Sequence, residues 1–80
     1  MRYILFAKKT CPYCIMAQDL LQERGEDYSV VDFEPGQEGV LTEIKKAHEW
    51  STVPMVFSRD GQDIKFIGGY SDLLKLFEDE

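Results

Sequence analysis

The 80-residue sequence contains only two cysteines, three prolines, one histidine and one tryptophan, and it has no long apolar run. A membrane-spanning helix requires roughly 18 consecutive apolar residues. Because no stretch approaches that length, we expect a soluble protein. The apolar stretch from Tyr3 to Ala7 is too short for the core of a signal peptide, so we interpret it as a strand of a cytoplasmic protein.

Cations are also scarce, since nine Lys and Arg residues stand against 15 Asp and Glu residues, which gives a formal net charge of −6. Excess negative charge opposes binding to nucleic acids and to anionic membranes, so we expect neither as a partner. A chain of this length has room for one small domain with a thin core. We therefore predict a single domain over residues 1–80.

The two cysteines, Cys11 and Cys14, belong to one Cys-Pro-Tyr-Cys tetrapeptide. A small secreted protein held by disulfides would have four or more cysteines spread along the chain to close long loops. A structural zinc site would need a second ligand pair, and the only histidine, His48, lies far along the chain. We therefore expect no metal and favour redox chemistry at this pair over zinc binding or simple packing.

The succession of apolar patterns predicts an α/β fold. Pro12 fits the first turn of a helix, and Asp60-Gly61 between two strand patterns indicates a hairpin. A strand, a helix and a strand in succession form a right-handed parallel unit. The predicted order is β-α-β-α-β-β-α, which implies a four-stranded mixed sheet with helices on both faces.

The bounds of these elements follow from strand composition and helical spacing. We expect strands over Tyr3–Ala7, Tyr28–Phe33, Met55–Ser58 and Asp63–Ile67. We expect helices from about Pro12 to Arg24, from about Val40 to near Trp50, and a last helix with Ser71 as its N-cap. The helical spacing rests on Tyr13, Ala17, Leu20 and Leu21, then on Val40, Leu41, Ile44, Ala47 and His48, and last on Leu73, Leu74, Leu76 and Phe77 as the buried side.

The position of Cys11 predicts a reactive sulfur. Only a thiolate attacks disulfides, and an unperturbed cysteine is only about 3% ionised at neutral pH. As the N-cap residue, Cys11 would face the unpaired N–H groups and the positive end of the helix dipole, and Lys8 and Lys9 add positive charge. We therefore expect Cys11 to attack as a thiolate, and Cys14, one turn later and less exposed, to resolve the mixed disulfide.

Three motifs stand at defined places in this order of elements: Cys11-Pro12-Tyr13-Cys14 after a strand, Thr52-Val53-Pro54 before the third strand, and Gly68-Gly69-Tyr70-Ser71-Asp72 before the last helix. Together they resemble the motifs of a dithiol glutaredoxin, in the order and spacing of that family and over essentially the whole chain. The resemblance implies a thioredoxin fold. It also implies reduction of glutathione mixed disulfides and protein disulfides, with glutathione as the electron donor.

The resemblance also assigns residues to each part of the site. The nucleophile falls on Cys11 and the resolving thiol on Cys14. Lys8 is expected to meet the glycyl carboxylate of glutathione, and Tyr13 to flank the tripeptide. The main chain of Val53 would pair with the cysteinyl part in a strand-like manner, beside an edge shaped by Thr52.

Pro54 would follow a cis peptide bond, as it does in this family. The N–H groups of Tyr70 and Ser71 would open a helix and bind the γ-glutamyl carboxylate, as helix N-termini bind anions. Asp72 would meet the α-amino group of the same residue. His48 and Trp50 are interpreted as packing residues.

Two other functions stay open at this point. A redoxin reduced by thioredoxin reductase would need neither Lys8 nor the last motif. A carrier of a [2Fe-2S] cluster could use Cys11 and glutathione in a dimer, although Pro12 after the nucleophile disfavours that use in the family. We favour a monomer that acts on glutathionylated or disulfide-bonded proteins. Ribonucleotide reductase is a typical family partner, but no residue selects it.

Overall fold

The computed structural model describes residues 2–8, 11–33 and 36–78, and its order of elements confirms the predicted fold. The sheet has the strand order β2-β1-β3-β4, in which β1 runs parallel to β2 and antiparallel to β3, and β3 runs antiparallel to β4. The elements are β1 (Arg2–Ala7), α1 (Pro12–Glu23), β2 (Asp27–Asp32), α2 (Glu38–Ala47), β3 (Met55–Asp60), β4 (Asp63–Gly68) and α3 (Tyr70–Glu78).

Side chains that point alternately to the two faces of the central strands divide the core into two layers. Leu5 of β1 and Val56 of β3 face the side covered by α1 and α3, while Phe6 and Met55 face the side covered by α2. Successive side chains of a strand point to opposite faces, so one short strand serves both layers. The sheet therefore has helices on both faces, as predicted.

Some predicted core residues are exposed instead. The exposed fraction is 41% for Leu76, 58% for Tyr13 and 59% for Val40, whereas Leu73 and Phe77 are buried. In α3 the two buried side chains, Leu73 and Phe77, lie four residues apart, because a helix that lies on the surface presents one narrow stripe to the core. No helix within the described ranges is long and apolar enough to cross a membrane.

Helix α2 ends at Ala47, earlier than predicted, in a Schellman motif. The N–H of Trp50 donates to the carbonyl of Lys45 at 2.8 Å, and the N–H of Glu49 donates to the carbonyl of Lys46 at 3.1 Å. Glu49 has φ +52°, the left-handed conformation that such a motif requires and that glycine adopts most easily. This ending directs the chain so that Trp50 packs against the α2 side of the core.

Replacing Glu49 with glycine is expected to stabilise the protein. Removing the side chain relieves about 1 to 2 kcal/mol of left-handed strain, and the added freedom of the unfolded chain offsets about half of it. We expect the free energy of unfolding in urea to rise by about 0.5 to 1 kcal/mol. The matched control is Glu43→Gly within α2, which should lower it by a similar amount; a loss of stability in Glu49→Gly would contradict this account.

Candidate active site

Cys11 is the N-cap of α1, as the sequence predicts. Its backbone is extended (φ −105°, ψ 107°), and its Sγ accepts the N–H of Cys14 at 3.2 Å. Its carbonyl accepts the N–H groups of Cys14 and Ile15, which begins the helix, and Pro12 follows at the first helical position, where no N–H is needed. The sulfur therefore lies at the positive end of the helix dipole.

Cys14 differs sharply from Cys11 in its surroundings. Its side chain is 1% exposed, whereas Cys11 is partly exposed, and both are free thiols. Burial, followed by the hydrogen bond with the side chain of Cys11, raises the pKa of the Cys14 thiol to about 12. A buried group with this pKa stays protonated near neutral pH, so the two cysteines are chemically distinct although they are one turn apart.

The loop before β3 brings a strand edge to the sulfur. Cys11 Sγ lies 3.6 Å from the carbonyl oxygen of Val53, and in its thiol form it donates a hydrogen bond to that oxygen. The Val53–Pro54 peptide bond is cis, as the resemblance implies, and Pro54 is buried below it. The main chain of Val53 is therefore the backbone segment that a molecule bonded to Cys11 would meet first.

The start of α3 corrects one prediction from the sequence. Ser71 is not the N-cap, because the helix begins at Tyr70 and Gly69 precedes it. The N–H of Gly69 instead donates to Asp72 Oδ2 at 2.9 Å, and the Gly69 carbonyl accepts the N–H of Leu73 at 3.1 Å. A carboxylate at the third helical position that reaches back to the cap is one half of a capping box.

Gly68 makes that arrangement possible. It has φ +131°, a conformation that L side chains rarely adopt, and a Cβ atom there would collide with the side chain of Asp72. At Gly69 a Cβ atom would only make ordinary contacts, 3.6 Å from Trp50 and 3.7 Å from the carbonyl oxygen of Pro54. The two neighbouring glycines therefore have different structural requirements.

A groove of about 280 Å³ joins these segments. It contains most of the residues that the sequence assigned to glutathione, and it adds Trp50 and Gly69, which the sequence assigned to packing and to the turn. Lys8 does not line it; the Lys8 carbonyl accepts the N–H of Cys11 at 3.3 Å, and Lys9 lies outside the described residues. The groove is lined by Tyr13, Trp50, Thr52, Val53, Pro54, Gly69, Tyr70, Ser71 and Asp72.

Aromatic rings form the walls of the groove. The rings of Tyr13 and Tyr70 lie 6.1 Å apart between centroids, which brings the starts of α1 and α3 together. Trp50 packs edge-on against Phe66 at 5.2 Å, and in the described part of the chain its Nε1 is the one buried side-chain polar atom with no hydrogen-bond partner. Helical or strand periodicity could not have identified Trp50, because its position depends on the left-handed end of α2.

Among residues 2–8, 11–33 and 36–78, no group of three or more His, Cys, Asp and Glu side chains is arranged to hold a metal ion. Neither cysteine lines the groove; Cys11 Sγ lies beside it, 3.6 Å from the carbonyl oxygen of Val53, and Cys14 is buried behind Cys11. Such a site can exchange a thiol with a disulfide and can hold an extended peptide-like molecule along the strand edge.

Comparison with known proteins gives a consistent result. The family model for glutaredoxin matches residues 3–64. Glutaredoxin 3 of Escherichia coli strain K12 is 33% identical over 72 residues, which are 90% of this chain and 81% of that protein. The hybrid peroxiredoxin hyPrx5 of Haemophilus influenzae is 32% identical over 73 residues, 91% of this chain, but the chain spans only 28% of its length.

Solved structures agree with this match. The dithiolic glutaredoxin 2-C-Grx1 of Trypanosoma brucei brucei has a TM-score of 0.76 at 34% identity, covering 96% of this chain and 77% of that one. The buckwheat glutaredoxin-glutathione complex has a TM-score of 0.81 at 24% identity, covering 96% of this chain and 68% of that one. The latter shows the shared fold.

Substitution of the two glycines should separate their roles. Gly68→Ala combines a strained backbone with a collision against Asp72, so we expect the free energy of unfolding to fall by about 2 to 4 kcal/mol. Gly69→Ala should change it by less than about 1 kcal/mol. Urea unfolding of the two variants measures the difference, and equal losses would show that the capping contact of Asp72 is not what requires Gly68.

The raised pKa of Cys14 can be tested by titration of a Cys11→Ser variant. Burial is the largest cause of the shift, so the pKa should stay above that of an ordinary cysteine when the contacts with Cys11 are removed. The ultraviolet absorbance of the thiolate should then rise only above about pH 9. A titration midpoint at or below about pH 8.5, the ordinary cysteine value, would contradict the assignment.

Proposed function

The chain belongs to the glutaredoxin family, and we propose that Cys11 is its nucleophile and Cys14 its resolving thiol. As a member it is a glutathione-dependent thiol-disulfide oxidoreductase. The observation that supports these roles is the position of Cys11 Sγ, which accepts a helix N–H at 3.2 Å and lies 3.6 Å from the Val53 carbonyl oxygen.

Reduction of a glutathionylated protein proceeds in two exchanges. The Cys11 thiolate attacks the glutathione sulfur of the mixed disulfide, so a bond forms between Cys11 and glutathione and the protein leaves as a thiolate that takes up a proton. The thiolate of a second glutathione then attacks the glutathione sulfur bound to Cys11. Oxidised glutathione leaves, and Cys11 returns to its thiolate form. Neither step requires Cys14.

Reduction of a protein disulfide uses both cysteines. Cys11 attacks one sulfur of the substrate and forms a mixed disulfide with it, releasing the other sulfur as a thiolate. The thiol of Cys14 gives its proton to the released substrate thiolate, directly or through water, and attacks Cys11 Sγ; the substrate's second sulfur leaves as a thiolate that takes up a proton from water, and a Cys11–Cys14 disulfide remains. Two glutathione molecules then reduce that disulfide and become oxidised glutathione. The high pKa of Cys14 keeps it from competing with Cys11 for the first attack.

The groove supports an orientation for glutathione. A cysteine bonded to Cys11 has its backbone beside Val53, whose N–H and carbonyl can pair with it as a neighbouring strand would. The γ-glutamyl carboxylate would reach the N–H groups of Tyr70 and Ser71 at the start of α3. Asp72, which lines the same part of the groove, would receive the α-amino group.

The remaining assigned residues complete the site. Tyr13 would flank the tripeptide, and its ring is 58% exposed at the groove wall. Thr52 shapes the strand edge beside Val53, and Lys8, whose main chain adjoins Cys11, would place its cation toward the glycyl carboxylate.

The setting of this activity is also part of the proposal. We propose one glutaredoxin domain that acts as a monomer in the cytoplasm, where thiols are kept reduced. Glutathionylated and disulfide-bonded proteins are its substrates, and ribonucleotide reductase is one candidate among them. No resident metal is part of this mechanism.

Two serine variants test the division of labour. In an assay that couples glutathione oxidation to NADPH through glutathione reductase, Cys11→Ser should be inactive on a glutathionylated peptide. Cys14→Ser should retain most of that activity, because both exchanges occur at Cys11. With a protein disulfide as substrate, Cys14→Ser should lose at least about tenfold in rate, since the trapped mixed disulfide is no longer resolved.

Mass spectrometry of Cys14→Ser with the protein disulfide supplies the control, because the variant should accumulate a mixed disulfide at Cys11. Equal loss of both activities in the two variants would contradict the assigned roles. Activity of Cys11→Ser on the glutathionylated peptide would contradict the assignment of the nucleophile.

A further inference from the structure

The outer face of α1 carries apolar side chains directly beside the nucleophile. Ile15 is 55% exposed and Met16 is 43% exposed, and the N–H of Ile15 donates to the Cys11 carbonyl at 3.3 Å. A single exposed apolar side chain is ordinary on a protein surface. Here two adjacent ones lie one turn from the sulfur of the proposed nucleophile, where a protein substrate bonded to Cys11 would be close to them.

The same face becomes acidic further along the helix. Asp19 follows Ile15 by four residues and Met16 by three, and Glu23 follows Asp19 by four, so helical spacing places these side chains on one face. Asp19 and Glu23 are exposed. The outer face of α1, made of Ile15, Met16, Asp19 and Glu23, is therefore apolar near the sulfur and negative beyond it, and the chain as a whole has a net charge of −6.

The distances along this face correspond to distances along an extended peptide. At 1.5 Å of rise per residue, Ile15 and Met16 lie about 6 to 8 Å along the helix axis from Cys11, and Asp19 lies about 12 Å from it. An extended chain advances about 3.3 Å per residue. An apolar side chain two residues from a substrate cysteine would thus meet Ile15 and Met16, and a cation four residues from it would meet Asp19.

We propose that the outer face of α1 selects protein substrates by two residues near their reactive cysteine. A large apolar side chain lies two residues from that cysteine and Lys or Arg lies four residues from it, both on the same side of it in the chain, either before or after. This inference rests on the proposed function of Cys11 as nucleophile and names the substrate class of that site. Glutathione occupies the groove on the side of Val53 and Tyr70, and the protein part of the substrate extends over α1.

The test uses glutathionylated pentapeptides as substrates. One pair has the sequences Cys-Ser-Leu-Ser-Lys and Lys-Ser-Leu-Ser-Cys, which cover both chain directions, and the matched pair has Ser in place of Leu and Glu in place of Lys. We expect kcat/KM for at least one Leu/Lys peptide to exceed that of its matched peptide about fivefold or more. The mixed disulfide of glutathione with 2-mercaptoethanol serves as a small substrate that cannot reach α1.

Protein variants assign that preference to the face. With peptides that differ only at the Leu or Ser position, the double variant Ile15→Ser, Met16→Ser should reduce the preference for Leu to less than about twofold. Its rate on the small disulfide should stay within about twofold of the parent. Asp19→Lys should remove the charge-dependent part, measured with peptides that differ only at the Lys or Glu position. The matched control is Ile64→Ser, because Ile64 is 58% exposed and pairs with Arg59 at the far end of the sheet.

Each outcome decides between the proposals. A parent protein that turns over the small disulfide but does not distinguish the peptides in either direction overturns the docking face and leaves the proposed function intact. A preference for Leu over Ser that survives in the double variant, or that Ile64→Ser reduces equally, also overturns it. A parent protein without activity on the small disulfide overturns the proposed function, and the docking face with it.

Discussion

The hydrogen bond from the N–H of Cys14 to Cys11 Sγ is the interaction on which the site depends. A side chain that caps a helix usually offers oxygen, and such a cap contributes about 1 kcal/mol to stability. Here the capping atom is the sulfur of the proposed nucleophile. The bond that begins α1 therefore also fixes that sulfur at the helix N-terminus, where negative charge is stabilised. Formation of the helix and placement of the proposed nucleophile are the same structural event.

The three-residue spacing gives two identical side chains different surroundings, which suit the different roles proposed for them. Cys11, outside the first turn, is partly exposed, while Cys14 is carried inward by the turn and is almost fully buried. Desolvation opposes the thiolate, so burial raises the pKa of Cys14. The same spacing keeps the two side chains in hydrogen-bonding contact. A resolving thiol needs both properties, because it must stay inactive until Cys11 carries a substrate.

The sequence predicted the order of elements, the hairpin and Cys11 as the N-cap, because each depends on a local signal. The signals are the alternation of apolar patterns along the chain, the Asp-Gly turn between two strands, and the proline after the cap. It failed at the start of α3. Ser71 is a good N-cap by residue type, but the left-handed turn at Gly68 lets Asp72 reach back to the Gly69 N–H, so Gly69 is the N-cap and the helix begins two residues earlier. Which of the two residues becomes the N-cap is therefore decided by the backbone conformation at Gly68 and not by residue type.

Two further features lay outside the reach of local patterns. Trp50 belongs to the groove because α2 ends in a left-handed residue, Glu49, although glycine is the usual residue there. The exposure of Ile15 and Met16 depends on which face of α1 meets the sheet, and the buried positions Ala17 and Leu21 decide that. A helix of this length can bury only one stripe.

The turn before α3 shows how stability and binding are linked in this site. Asp72 holds the Gly69 N–H and lies against Gly68, so its carboxylate is fixed before any ligand arrives. A carboxylate has two oxygens and accepts several hydrogen bonds, so the capping role leaves it able to meet an ammonium group. Because its rotamer is already set, binding costs little side-chain entropy. In the proposed function, the residue that defines the start of α3 would thereby also orient one end of the ligand, and a change that loosens the turn would weaken both stability and binding.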